Sequence, residues 1–152
     1  MTESTLEEQT ITVTHVFDAP RAVVFDAWTD PDQVARWFGP PGWEAPRDSV
    51  EIDARVGGAF KLRMMKPGSE MEYWIQYEII ELHAPELLVL KSEPMPQMGL
   101  HHPTITRVEF EDDGDRTRMT LTDGPFPEQG GRGASAAWKA AFEKLANVIA
   151  AA

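Results

Sequence analysis

The sequence predicts an α+β fold in which an antiparallel sheet of about seven strands packs against one long C-terminal helix. Two observations lead to this prediction. Six consecutive segments in the middle of the chain alternate apolar and polar side chains, with the two-residue period of a half-buried strand. The last segment repeats apolar residues at helical spacing from Trp138 to Ile149. Strands grouped apart from a long helix are typical of α+β architecture.

One strand and two short helices are predicted ahead of this group of strands. The residues from Thr10 onward alternate in the pattern of a strand with one buried face. Pro20 then marks the first position of a short helix. Asp30 and Gln33 form a capping-box variant that predicts the start of a second helix, and Gly39 predicts its end.

The middle and end of the chain supply turn and cap signals. Gly57-Gly58 predicts a hairpin turn within the group of strands. Glu81 shares the alternating phase of Ile79, so it is predicted to face inward with a partner such as Arg107, or to lie where the strand leaves the sheet. The glycine-rich segment 130–133 is interpreted as a flexible connector rather than a phosphate cradle, because no P-loop lysine accompanies it, and Ser135 is the predicted helix N-cap.

Composition excludes several classes of protein. The chain has 14 Lys and Arg against 25 Asp and Glu, a formal net charge of −11, and such a charge repels nucleic acid. Cysteine is absent, which excludes disulfides and thiolate chemistry and favours a cytoplasmic location. No stretch reaches the roughly 18 apolar residues of a membrane span. We expect residues 1–9 to be a disordered tail and residues 10–152 to form one domain.

Several segments resemble one family, the proteins similar to the activator of the ninety-kilodalton heat-shock protein ATPase (AHSA-like). The resemblance covers about residues 10 to 150 and is carried by Val16-Phe17-Asp18-Ala19-Pro20-Arg21, Val24-Phe25-Asp26-Ala27-Trp28-Thr29-Asp30-Pro31, Ala35-Arg36-Trp37-Phe38-Gly39-Pro40, Gly57-Gly58, the segment around Pro85 and Trp138. It implies a START-like (SRPBCC) helix-grip fold, in which a curved antiparallel sheet wraps a long C-terminal helix. Many relatives bind lipids, polyketides or other small hydrophobic molecules between the two. Many relatives carry a glycine where this chain has Ala137, and a small residue where it has Tyr77. These differences alter the shape of such a cavity.

The candidate ligand-binding residues are aromatic and flexible apolar side chains that either fill a core or line an adaptable pocket. On the expected fold, those on the inner surface of the grip are Trp37, Phe38, Met64, Ile75, Tyr77, Phe110, Met119, Trp138 and Phe142. Residues 93–103, which include a stretch without periodicity, are predicted to form either a lid over the cavity mouth or simply a long hairpin loop.

No catalytic residue, cofactor or metal site is predicted. His101 and His102 are adjacent and would point to opposite sides of an extended segment, so we interpret them as part of a solvated loop. The carboxylates of Glu51 and Asp53, and the acidic cluster of residues 109–115, are interpreted as water-facing.

Three functions remain open from the sequence. The first is binding of a small hydrophobic ligand, such as a lipid, polyketide or aromatic metabolite. The alternative is a reduced co-chaperone that regulates a heat-shock chaperone ATPase in a stress response. The third is a cyclase or hydrolase, which would need polar groups such as Glu81, Gln76, His15 or Arg107 to converge in the cavity. A monomer and a homodimer are both compatible with the sequence.

Overall fold

The computed structural model describes residues 9–95, 102–126 and 128–151 of the chain. Seven strands are present in that part: β1 (Gln9–Phe17), β2 (Glu51–Ile52), β3 (Ala59–Met65), β4 (Glu72–His83), β5 (Leu87–Ser92), β6 (Ile105–Asp113) and β7 (Arg116–Phe126). The α-helices are α1 (Arg21–Thr29), α2 (Pro31–Trp37) and α3 (Glu128–Ala151). The prediction of an α+β chain with two short helices after the first strand is confirmed.

The seven strands form one curved antiparallel sheet in the order β1-β7-β6-β5-β4-β3-β2. The first strand of the chain thus pairs with the last, with Val13 opposite Leu121. Helix α3 lies against the sheet, and Lys144 on α3 fastens it to the end of α2 by donating a hydrogen bond from Nζ to the Gly39 carbonyl oxygen, 3.1 Å away. The sheet and the long helix therefore enclose the interior between them.

The short helices begin where local chemistry favours a helical turn. The Asp30 carboxylate accepts a hydrogen bond from the Asp32 N–H (3.0 Å) and another from the Gln33 side chain (3.1 Å), so Asp30 is the N-cap of α2 and Gln33 bonds to the capping side chain. Gly39 follows α2 with a φ of 95°, a conformation that favours glycine. The start of α1 differs from the prediction by one residue, because Pro20 occupies the N-cap position itself and no side chain caps the helix.

Helix α3 begins eight residues earlier than an N-cap at Ser135 predicts. Gly130 to Gly133 were expected to form a flexible connector, but they lie inside the helix, and Ser135 is an interior residue rather than an N-cap. Glycine disfavours a helix by about 1 kcal/mol relative to alanine. Packing of the α3 face that carries Phe142 and Leu145, both fully buried, provides the compensating stabilisation.

Glu81 does not face the interior. The register between β4 and β5 shifts between Ile79 and Glu81, and this bulge moves the inward phase to Leu82. Glu81 is exposed, with its Oε2 3.4 Å from Nε2 of His83. Arg107, the expected partner, is also exposed and lies 3.4 Å from Glu109. The prediction of an inward Glu81 is therefore wrong, because one extra residue reverses the alternation of a strand.

Two predicted segments fall largely outside the described residues. Of the predicted tail, only Gln9 is described, as the first residue of β1. Of the predicted lid, residues 96–101 lie outside the described part, and so does the interpretation of His101. Within the described helices, none is long and apolar enough to cross a membrane.

Candidate functional site

A cavity of about 300 Å³ lies between the inner face of the sheet and helix α3. It reaches from the end of α2 to the residues that follow β5. Its walls are formed by Phe38, Gly39, Pro40, Met64, Ile75, Tyr77, Met95, Thr104, Asp123, Phe126, Gly133, Ala134, Ala137, Trp138 and Ala141. Most of these side chains are apolar, and the sheet and the helix each contribute to the lining.

Small residues on α3 leave this space open. Gly133, Ala137 and Ala141 follow one another at four-residue intervals, so they lie on one face of the helix, and this face lines the cavity. A Cβ atom added to Gly133 would meet no atom within 4 Å. The helix therefore carries too little side-chain volume here to fill the gap between its axis and the sheet.

The apolar wall combines rings with flexible side chains. The rings of Phe38 and Trp138 meet edge to face, with centroids 5.7 Å apart. Met64 on β3 and Met95 after β5 are both buried and reach the same space. Methionine side chains adapt to ligands of irregular shape because they have three rotatable bonds and a polarisable sulfur.

A buried carboxylate lies in the cavity wall. Asp123 on β7 is only 4% exposed. Its Oδ1 accepts a hydrogen bond from the Thr106 hydroxyl (2.7 Å), and its Oδ2 accepts one from the indole Nε1 of Trp138 (3.0 Å). The Gly124 backbone N–H donates a further hydrogen bond. The carboxylate is thus held by donors from β6, β7 and α3.

Further polar side chains continue from Asp123 across the sheet. Thr104 and Ser92 share a hydrogen bond between their hydroxyls (2.9 Å), and the Thr104 N–H donates to the Ser92 hydroxyl at 2.9 Å. Ser92 lies opposite Tyr77 in the register of β4 and β5. We call Tyr77, Ser92, Thr104, Thr106 and Asp123 the polar row; all five are at least nine-tenths buried, and Tyr77, Thr104 and Asp123 line the cavity.

Burial shifts the ionisation of two members of the polar row. Burial raises the pKa of the Asp123 carboxyl, and the hydrogen bonds from Thr106, Trp138 and Gly124 oppose this shift only in part. Burial, together with the nearby Asp123 charge, also raises the pKa of the Tyr77 phenol. Tyr77 is therefore neutral at physiological pH and can donate a hydrogen bond.

The structure divides the nine candidate ligand-binding residues into two groups. Those that line the cavity are Phe38, Met64, Ile75, Tyr77 and Trp138. The others, at most 1% exposed, lie in the core outside the cavity lining: Trp37, Phe110, Met119 and Phe142.

Two of the core residues have identified partners. Trp37 donates a hydrogen bond from its indole N–H to the Ala27 carbonyl oxygen (2.9 Å), and the Met119 sulfur lies 3.2 Å from Nε1 of Trp28. These contacts join the helices and the sheet away from the cavity.

Sequence reasoning did not identify Asp123, Thr104 or Thr106. A signal was present in the strand alternation, because Asp123 shares the inward phase of Leu121, and Thr106 shares that of Val108.

The polar residues proposed for an enzymatic site do not converge. Gln76, Glu81 and Arg107 are exposed. His15 on β1 is half-buried and lies against Phe17, with ring centroids 4.4 Å apart, and burial lowers its pKa. Among the described residues, no three His, Asp or Glu side chains are grouped so that they could hold a metal ion.

Known structures share this architecture. A protein from Chromobacterium violaceum superposes with a TM-score of 0.83 at 24% identity, covering 92% of this chain and 96% of that one. The AHSA1-like protein from Aeromonas hydrophila superposes with a TM-score of 0.75 at 20% identity, covering 94% of this chain and 93% of that one. The AHSA1 protein from Silicibacter pomeroyi superposes with a TM-score of 0.77 at 16% identity, covering 93% of this chain and 98% of that one. These similarities establish the helix-grip fold.

The family follows from the sequence itself. Comparison with curated proteins gives no significant match. The family model described as "Activator of Hsp90 ATPase homolog 1-like protein" matches residues 18–150. That stretch includes both short helices, the walls of the cavity and most of α3. The chain therefore belongs to the AHSA1-like family.

Proposed function

We propose that this protein binds a small, largely apolar molecule in the cavity between the sheet and α3. The observation that carries the proposal is the cavity itself: about 300 Å³ of space beside the hydrophobic core. Protein interiors leave few voids larger than a water molecule, and binding sites are typically apolar with a few polar groups. The predicted roles of Phe38, Met64, Ile75, Tyr77 and Trp138 in ligand binding belong to this proposal.

The direct test uses a neutral fluorescent probe. N-phenyl-1-naphthylamine is largely apolar and gains fluorescence when it leaves water. We expect saturable binding with one site per chain, and a higher melting temperature in the presence of the probe, because a ligand that binds only the folded state stabilises it. Native mass spectrometry of freshly purified protein would show in addition whether a molecule from the host is retained.

Two neighbouring alanines on α3 allow a matched comparison. Ala137 lines the cavity, whereas Ala136 is exposed to solvent. Ala137→Leu should fill part of the cavity and abolish probe binding, and Ala136→Leu should bind the probe as the wild type does. Circular dichroism confirms that both variants are folded. Equal binding by Ala137→Leu and the wild type would contradict the proposed site.

Regulation of a heat-shock chaperone ATPase is a second candidate function. It is supported by the description of the matching family model and by the net charge of −11, which would steer the protein toward a basic partner surface. The test is a chaperone ATPase assay with this protein in excess, at low and at moderate salt. An unchanged ATPase rate under both conditions would exclude it.

A further inference from the structure

Most of the buried polar side chains belong to the polar row, three of whose members line the cavity. The described residues include five that are polar or charged and fully buried: Ser92, Thr104, Thr106, Thr117 and Asp123. All but Thr117 belong to the polar row. A core does not need hydroxyls and a carboxylate for stability, since burying such groups is costly unless each is hydrogen-bonded.

The Asp123 carboxylate can accept one more hydrogen bond than the protein donates to it. An ionised carboxylate can accept about four hydrogen bonds. Three are supplied, by Thr106, by Trp138 and by the Gly124 backbone. Because Asp123 also lines the cavity, a ligand in that space can reach the carboxylate.

The donors around Asp123 do not neutralise its charge. Thr106, Trp138 and the Gly124 backbone are all uncharged groups. Among the side chains that the structure describes, no lysine, arginine or histidine lies within 4.0 Å of the Asp123 carboxylate. Buried charges in proteins are usually paired with an opposite charge. A bound ligand could supply that cation.

We propose that the ligand is an apolar amine whose ammonium group pairs with Asp123 at the polar row, an inference that rests on the proposed function. The apolar part of the amine fills the space along Met64, Ile75 and the alanine face of α3. Thr104 and Tyr77, which line the cavity together with Asp123, add polar side chains to the wall that the ammonium faces.

Two further features favour a cationic ligand over a neutral or anionic one. The chain has a net charge of −11, which raises the local concentration of cations around the protein. The rings of Phe38 and Trp138 both line the cavity, and aromatic faces attract ammonium groups.

The test compares three probes that differ only in their head group. Octylamine, octanol and octanoate are titrated against the complex of the wild-type protein with N-phenyl-1-naphthylamine at neutral pH. Hydrogen bonds to charged groups are stronger than neutral ones by an amount that corresponds to about tenfold in affinity. We expect octylamine to displace the probe at roughly one tenth of the octanol concentration, and octanoate to displace it least.

A variant of nearly the same shape tests whether the Asp123 carboxylate causes the preference for octylamine over octanol. Asp123→Asn should abolish the preference for the amine, so that octylamine and octanol displace the probe at similar concentrations. Asp26→Asn is the matched control, because Asp26 is exposed on α1 and its loss changes the net charge by the same amount. This control should keep the full preference for the amine.

The outcomes separate this inference from the function on which it rests. If the three probes compete equally, or if Asp123→Asn keeps the preference for octylamine, the amine inference is overturned while apolar binding stands. If N-phenyl-1-naphthylamine does not bind the wild type, the proposed function fails, and the inference fails with it. The comparison of octylamine, octanol and octanoate on the wild-type protein tests the amine inference even if Asp123→Asn does not fold.

Discussion

The indole Nε1 of Trp138 donates a hydrogen bond to Oδ2 of Asp123 across 3.0 Å, and this contact joins helix α3 to strand β7 in the wall of the cavity. The same indole ring forms part of the apolar wall beside Phe38. Trp138 therefore both satisfies the buried carboxylate and shapes the space next to it.

Removing this donor should destabilise the fold. Trp138→Phe keeps an aromatic ring but loses the N–H, and leaving a buried acceptor without a partner costs about 1–3 kcal/mol. We expect a loss of that size in the free energy of unfolding, measured by urea denaturation. Trp74→Phe is the control, because Trp74 lies on β4 with 46% of its surface exposed. A loss no larger than that of the control would contradict the structural role of the hydrogen bond.

The stability of Asp123→Asn relative to the wild type should depend on pH. Burial raises the pKa of Asp123 above its ordinary value of 3.8, so the folded state holds this proton more tightly than the unfolded chain does. Ionisation of this carboxyl therefore destabilises the folded wild type. The destabilisation is absent below pH 3.8, and it grows until the pH exceeds the raised pKa of the folded state. Asparagine carries no such proton and avoids this cost.

The free energy of unfolding of Asp123→Asn minus that of the wild type should therefore rise with pH and then level off. Urea denaturation of both proteins across the acidic to neutral range measures this difference. Tyr77, the titratable neighbour of Asp123, stays neutral throughout because its own pKa is raised. A difference that is flat or that falls with pH would show that the Asp123 carboxyl is not destabilised by burial.

Two glycines should respond in opposite ways to alanine. Gly133→Ala should stabilise the protein by about 1 kcal/mol, since alanine favours a helix and the added Cβ meets nothing within 4 Å. Gly58→Ala should destabilise it, because the added Cβ would lie 1.9 Å from the Asp53 backbone oxygen. Urea denaturation checks both changes. Destabilisation by Gly133→Ala would show that this part of α3 does not tolerate a side chain.

Local patterns predicted most of the elements because each depends on neighbouring residues. The alternation around Val13 predicted β1, and the capping box at Asp30 predicted α2. The start of α3 and the orientation of Glu81 were not predicted correctly. Helix packing stabilises the glycine-rich turn of α3 against its local preference, and the bulge after Ile79 reverses the phase of β4.

The candidate site required contacts between residues distant in sequence. Phe38 and Phe142 carry the same apolar signal, yet one lines the cavity and the other fills the core. Asp123 looks in sequence like a residue near the end of a strand, and only the pairing of β7 with β6 brings it to Thr106.

The sequence by itself determined the α+β class, the seven strands, the long helix and the family resemblance, because periodicity and local motifs are properties of neighbouring residues. Tertiary structure alone decided which apolar side chains border empty space and that a carboxylate lies among them. A cavity is the volume left between packed elements, so it depends on the separation of α3 from the sheet. No single segment encodes that distance.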